Sequence, residues 1–489
     1  MPIYIGDDIV NLRRPDGSEG QYYWGDQCEI VSEANGRIEV KILGRRGPID
    51  HGFIDDRTSL VKSGVLRLSM IDVQQGDGLI LETPDGKVVF IDGGDNQLFA
   101  RHANARYPGT SEQDPLIVDL MLITHGDADH FDGLNELRKS ETDSRLDRRI
   151  FVAPRRVYHN GIVKRPRRKA DNRDRKDVEM FGRTIQRGNE TFIVDLVDDQ
   201  TSVPDSEMNQ PFSTWAKTLK AWEPRVLAAT GQPIEKRRLD HTTQGAFDFL
   251  VDELEVELLG PITEIVDGQT ALPFLRDPPE DANLMLGTVP TRSKGSFSAS
   301  HTINGHSINF RLRYGNVRFM FTGDMNQEAG QRLRQAKPNT AIRSEILKAP
   351  HHGSADFDME FLKEVAPVVS LISSGDESAA KEYIHPRATL MAALGKAGRT
   401  TPSIIFCIEL AAFFSVLGYV DIPKKPGKKV FAFERTNFGI SHIRTDGQRV
   451  LAFTHSGEKF LNEAYGFTVS PTGEVTFAPK VVKRSAPKL

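Results

Sequence analysis

The sequence predicts an α/β protein with a small all-β unit in front and a long insertion inside. Three observations predict it. Apolar runs of strand length, such as Leu120-Met121-Leu122-Ile123, recur and end in glycines, carboxylates or histidines. Helix-like stretches, Phe131 to Lys139 and Gln327 to Gln335, follow two of these strand ends. Residues 1–63 instead alternate short apolar and polar runs between glycine turns, the pattern of short antiparallel strands.

In chain order, Gln27-Cys28-Glu29-Ile30-Val31 and Arg37-Ile38-Glu39-Val40-Lys41-Ile42 read as strands of a small barrel over residues 1–63. The run Gly47-Pro48-Ile49-Asp50-His51-Gly52-Phe53-Ile54 resembles the closing strand of bacterial SH3-like domains, which makes this unit a candidate docking surface for a protein partner. The core is expected over residues 64–425. It opens with strands Val65 to Val73 and Leu79 to Glu82, turns at Pro84-Asp85-Gly86, and returns through Lys87 to Ile91 into Asp92-Gly93-Gly94. Strand Ile117 to Thr124 delivers His125-Gly126-Asp127-Ala128-Asp129-His130. After an insertion at about 150–300, the strands Ser307 to Tyr314 and Val317 to Phe321 flank Gly315-Asn316, a hairpin signal, and run into Gly323-Asp324. Strand Glu345 to Ala349 leads to His351-His352-Gly353-Ser354, and residues 426–489 read as a β-rich extension.

Composition is that of a soluble globular chain: 489 residues, 38% hydrophobic, net charge −4. Overall charge therefore identifies no partner. Two cysteines, Cys28 and Cys407, form no CxxC pair, which excludes a zinc ribbon and a disulfide-dense secreted domain and makes a cytoplasmic location the expectation. The N-terminus has no signal-peptide pattern. The longest apolar run, Ile404 to Val420, carries Glu409 and is short for a bilayer, so no membrane segment is expected.

Four potential metal ligands lie within six residues at a strand end. On extended backbone His125 and Asp127 point the same way and can share one ion, while Asp129 and His130, where the chain turns helical, can approach a second. Two cations about 3.5–4 Å apart activate water and clamp a phosphate or ester oxygen. Three strands ending in such groups, converging on one sheet rim, would gather them.

Asp92-Gly93-Gly94, His125-x-Asp127-x-Asp129-His130, Gly323-Asp324 and His351-His352-Gly353-Ser354, in this order, resemble the metallo-β-lactamase superfamily, with greatest similarity to the hydrolase domain of the competence DNA-uptake (ComEC-type) protein. Gln75-Gly76-Asp77 and the segment ending at His385-Pro386 add to the resemblance, which covers about residues 64–150 and 300–400. It implies an αββα sandwich with two divalent ions, zinc or manganese with magnesium tolerated. His125 and Asp127 would serve one ion, Asp129 and His130 the other, and Asp324 would bridge them. His352 would complete the second site, with His351 as its rival. The resemblance also implies that Asp92 supports a ligand from behind. An oxygen donor at Asp127, where the superfamily usually has histidine, favours harder ions. A further histidine for the first ion has no fixed place; His241, His301 and His306 are candidates. His159 reads as a loop residue.

Between Arg155 and Arg187 stand twelve Lys/Arg against four Asp/Glu, a local excess of +8. Beside a phosphodiester-cleaving centre this stretch is a candidate phosphate-binding surface, with Arg165, Arg167, Arg168 and Lys169 as contacts. The sequence thus predicts a metal-dependent hydrolase, a phosphodiesterase or nuclease acting on DNA through metal-activated water, with Asp129, Asp324 and His385 as catalytic groups. Two alternatives stay open: a small-molecule hydrolase acting on a cyclic nucleotide, phosphocholine ester or lactone, and a non-catalytic scaffold of the same fold.

Overall fold

The computed structural model describes residues 2–250, 253–277, 295–338, 340–375, 385–421, 427–437, 439–455 and 461–488. Two sheets face each other. The first has ten strands, in the order Glu235–Arg238, Arg156–His159, Leu120–Leu122, Val88–Asp92, Gly78–Glu82, Leu66–Met70, Ile440–Thr445, Arg449–His455, Leu461–Val469 and Val475–Phe477. The second runs Leu254–Gly260, Asn309–Tyr314, Val317–Phe321, Ile346–Lys348, Val369–Ile372 and Ile404–Cys407.

The continuous apolar runs follow from this layering. Successive strand residues point to opposite faces, so Leu79, Leu81, Val89 and Ile91 join Phe310, Phe319, Ile346 and Leu371 between the sheets. Their neighbours Ile80, Val88 and Phe90 face outward, under Phe99 and Ala103 of helix Leu98–Arg106, Phe131 and Leu134 of helix Ala128–Ser140, and Trp215 and Trp222 of helix Gln210–Thr230. On the far side Met320, Leu347 and Ile372 pack under Leu333, Phe361 and Leu394, from helices Gln327–Ala336, Met359–Val365 and Ala388–Ala397. The architecture is a four-layer αββα sandwich.

Several expectations change here. The strand expected over Ile117 to Thr124 is two short ones, Leu116–Val118 and Leu120–Leu122, because Asp119 between them turns its carboxylate to the Val88 N–H at 3.0 Å. The insertion supplies outer strands to both sheets and the 21-residue helix Gln210–Thr230, so much of it belongs to the sandwich. Its His159 is no loop residue: it ends strand Arg156–His159, buried, with Nε2 3.0 Å from the Asp198 carbonyl. The C-terminal strands continue the first sheet through Ile440–Thr445, which pairs antiparallel with Leu66–Met70.

Residues 2–61 form an all-β unit around Val10, Leu12, Val40, Ile42 and Ile54. A strand from the far end of the chain, Lys483–Arg484, pairs with Ile9–Arg13 of this unit. It docks on the sandwich, where Tyr23 stacks on Phe453 at 4.4 Å and Arg444 donates to the Trp24 carbonyl at 2.6 Å. Among the described residues no helix is long and apolar enough to cross a membrane.

Candidate metal centre

The parallel strands Val88–Asp92 and Leu120–Leu122 of the first sheet, and Val317–Phe321, Ile346–Lys348 and Val369–Ile372 of the second, end at one rim. Asp92, His125, Asp324, His351, His352 and Ser373 lie at or just past these ends. Asp77 reaches the same rim from the other direction, since Gly78 opens an antiparallel strand and lies opposite Asp92. Helix Ala128–Ser140 starts there with Asp127 at its N-cap.

Three imidazoles meet around Asp324. His352 Nε2 lies 3.1 Å from Asp324 Oδ2, His130 Nε2 lies 3.3 Å from Oδ1, and His125 Nε2 lies 3.9 Å from Oδ2. The far nitrogen of each ring is held from behind. Asp92 accepts from His130 Nδ1 at 2.9 Å, and also from the Thr124 N–H at 2.8 Å and its hydroxyl at 2.6 Å. His352 Nδ1 donates to the Ser373 carbonyl at 3.2 Å. The Ser307 hydroxyl is spent on the Asn304 carbonyl at 2.8 Å, so at 3.3 Å it accepts from His125 Nδ1. With the rings neutral, as a metal ligand requires, these contacts set each tautomer so that the Nε2 lone pair turns inward.

The donor set fits a divalent cation. His130 Nε2 and His352 Nε2 face each other at 3.1 Å, two lone pairs that need a positive centre between them. Ligand atoms about 2.0–2.2 Å from a shared tetrahedral ion lie about 3.3 Å apart, the spacing of His130, His352 and Asp324 here, with His125 farther out at 3.9 Å. Asp324 Oδ1 is buried without a hydrogen-bond donor. The electrostatics agree. Burial alone would raise the Asp324 pKa, but the facing His352, His130 and His351 outweigh it and hold the carboxylate well below its usual range. Burial works against a charged His352, yet Asp324 and Asp77 lift it to about 10; His130 is raised likewise by Asp324 and Asp92. That field holds a proton in the ion-free protein and suits a cation equally. Burial, then the neighbouring His130, pushes His125 well below its ordinary value, so it stands neutral.

Asp77 and Lys348 were not anticipated. Asp77 Oδ1 is 3.4 Å from His352 Nδ1 and Oδ2 is 3.9 Å from His130 Nδ1, so it backs both rings although it clusters with His130, Asp324 and His352 within 4.8 Å. The buried Lys348 ammonium pairs with Asp77 and donates to the Gly323 carbonyl at 2.9 Å. The available signals were a carboxylate between two glycines and a lysine inside an otherwise apolar strand.

Asp129 sits at the lip, its Oδ2 accepting from Gln75 at 3.3 Å and lying 3.8 Å from His352 Nε2. His352 is in the cluster; His351 Nε2 stands as near Asp324 as His125 does, at 3.8 Å, but is engaged by the Asn304 amide at 3.2 Å, and its Nδ1 has no hydrogen-bond partner. Asp127 pairs with Lys164, whose ammonium is 2.8 Å from Oδ1. His385 borders the site, its ring 6.2 Å from that of His351, and burial lowers its pKa to about 3. None of the three candidate extra histidines faces the cluster: His301 pairs with Asp356 at 3.3 Å, His306 donates to the Pro273 carbonyl at 2.7 Å, and His241 Nδ1 contacts the Thr263 N–H at 3.3 Å.

Fold and site together define an αββα protein with a histidine–carboxylate centre at the sheet rim. No family model matches the chain, and no curated protein does. Among solved structures it is similar to CmlA, a diiron β-hydroxylase from Streptomyces venezuelae, with 12% identity over 71% of this chain and a TM-score of 0.29. That match spans only about half of CmlA, 53% of its length. It is also similar to Zn²⁺-bound PqqB from Methylobacterium extorquens (10% identity, 67% of this chain and 95% of that one, TM-score 0.30). A long-form RNase Z from yeast matches at 8% identity over 63% of this chain and 37% of that one, with a TM-score of 0.24. Similarity at this level carries no functional argument, so the reading rests on the chain's own geometry.

Proposed function

We propose that the protein is a metal-dependent hydrolase of the metallo-β-lactamase type, cleaving phosphodiester bonds. The observation that carries this reading is the convergence of His125, His130 and His352 on Asp324 with every Nε2 turned inward. A divalent ion held there supplies Lewis acidity and lowers the pKa of water. Asp129, at the lip and held by Gln75, is the carboxylate placed to take the proton from the attacking water. His385 borders the site beside His351. A serine or cysteine nucleophile is not required.

Nucleic acid, DNA in particular, is the substrate that the basic insertion suggests, with Arg167 and Arg168 exposed, but several of its cations are already paired with carboxylates. Arg165 pairs with Asp195 at 2.7 Å and with Glu207, Arg167 with Asp177 at 3.1 Å, and Lys169 with Glu179 at 2.8 Å. This pairing favours a second reading, hydrolysis of a small phosphodiester such as a cyclic nucleotide. One experiment separates the two: incubation with linear, circular and single-stranded DNA, RNA, cyclic nucleotides and a chromogenic phosphodiester, in Mn²⁺, Mg²⁺ and Zn²⁺ separately. Cleavage of DNA supports the nuclease, cleavage of the small esters alone supports the second reading, and no metal-dependent hydrolysis of any of them ends both.

A further inference from the structure

We propose that the centre holds one divalent ion tightly and that Lys164, with Asn304, occupies the ligand a second ion would need. The inference rests on the metal-centre reading above and concerns the half of the site around Asp127. Each oxygen of that carboxylate already has a donor. Oδ1 takes the Lys164 ammonium at 2.8 Å, and Oδ2 accepts from the Asn304 amide at 2.8 Å once the amide is oriented to satisfy its neighbours. In that orientation the Asn304 oxygen accepts from His351 Nε2 at 3.2 Å, so His351 presents a proton, not a lone pair, toward the site. Asp127, which would serve the first ion, and His351, the rival of His352, are thereby tied to each other through one amide.

Lys164 is held in position. Its carbonyl accepts from the Asn209 N–H at 2.9 Å, at the start of helix Gln210–Thr230, and the preceding Ile162 and Val163 are buried. Its side chain keeps about a quarter of its surface exposed, at 26%. The ammonium is thus a half-buried cation seated on Asp127, and a second divalent ion using that carboxylate has to displace it against like-charge repulsion. The lysine supplies one positive charge where a second ion would supply two, leaving the three imidazoles and Asp324 to a single ion.

The test measures metal, not turnover. Equilibrium dialysis against Mn²⁺, with metal analysis and electron paramagnetic resonance of the same samples, should show one tight ion per wild-type chain and the six-line spectrum of an isolated Mn²⁺. A second ion should bind about tenfold or more weakly. Lys164→Met should strengthen that second ion by about tenfold or more and bring in an exchange-coupled signal, whereas Lys164→Arg should stay with one. Should Lys164→Met fail to fold, Asn304→Ala, which frees Asp127 Oδ2 and His351 together, is expected to act in the same direction. Two ions of equal affinity in the wild type, or an unchanged second ion in folded Lys164→Met, would overturn this inference and leave the metal-dependent hydrolase standing. A wild type that binds no ion would overturn both.

Discussion

Asp92 shows how much of the centre depends on a residue that touches no substrate. It is fully buried, in left-handed backbone at φ +55°, and its two oxygens spend themselves on Thr124 and His130. Asp92→Asn suits that backbone but weakens the acceptor that fixes the His130 tautomer, so metal affinity should fall about 10–100-fold with the fold retained; chelator competition that found wild-type affinity would refute the role. His352 makes a prediction about pH. In the ion-free protein its pKa is raised from 6.5 to about 10, so its contribution to stability is present below pH 6.5 and lost as pH climbs through 10. Urea unfolding of the ion-free protein between pH 7 and 10 should show this loss, and His352→Asn should lack that part of the slope; equal slopes would refute it. The histidines and Asp324 were legible in the sequence because strand ends announce them. Asp77, Lys348, Asn304 and Lys164 were not, since their roles arise from partners distant in the chain: Asp127 and Lys164 are 37 residues apart, and Asn304 and His351 are 47 apart.

At the scale of elements, the loop before strand Gly78–Glu82 is pinned against the first turn of helix Ala128–Ser140. Gly76 has φ +92°, and a Cβ there would lie 1.6 Å from the Asp129 carbonyl oxygen. Gly76→Ala should therefore force the loop and the helix start apart, moving Asp77 and Asp129 together. We expect lost metal binding with far-ultraviolet circular dichroism little changed; normal metal affinity would show that the loop yields cheaply. The paired strands around the rim were readable from sequence, including the hairpin Asn309–Tyr314 and Val317–Phe321 and helix Gln327–Ala336. Helix Gln210–Thr230 was not, because Pro224 interrupts its pattern; Trp215 and Trp222, packed edge to face at 6.0 Å, hold it on the sheet regardless. The split at Asp119 was hidden for the opposite reason, an unbroken apolar run on both sides of one carboxylate.

Across the whole molecule, the first sheet is assembled from both halves of the chain. Its strand Leu66–Met70 lies between Gly78–Glu82 and Ile440–Thr445, with Leu68 opposite Ile443 and the Ser69 hydroxyl 2.9 Å from His442 Nδ1. A chain truncated after residue 425 would lose this neighbour and bare an apolar strand edge. It should be recovered in aggregates without bound metal, and a soluble, metal-loaded truncation would show that residues 426–489 are dispensable. The four-layer order was foreshadowed by the strand-end motifs, but the continuation of the sheet past residue 440 was not, since short strands and glycine turns read alike in an appendage and in a core. That pairing also sets a clock on the nascent protein. Ser69 and His442 are 373 residues apart, which at about 5–20 residues per second separates their synthesis by roughly 20–75 s. Through that interval Leu66–Met70 emerges with one flank unpaired, and a chaperone that shields extended apolar segments would be needed most before its last partner leaves the ribosome.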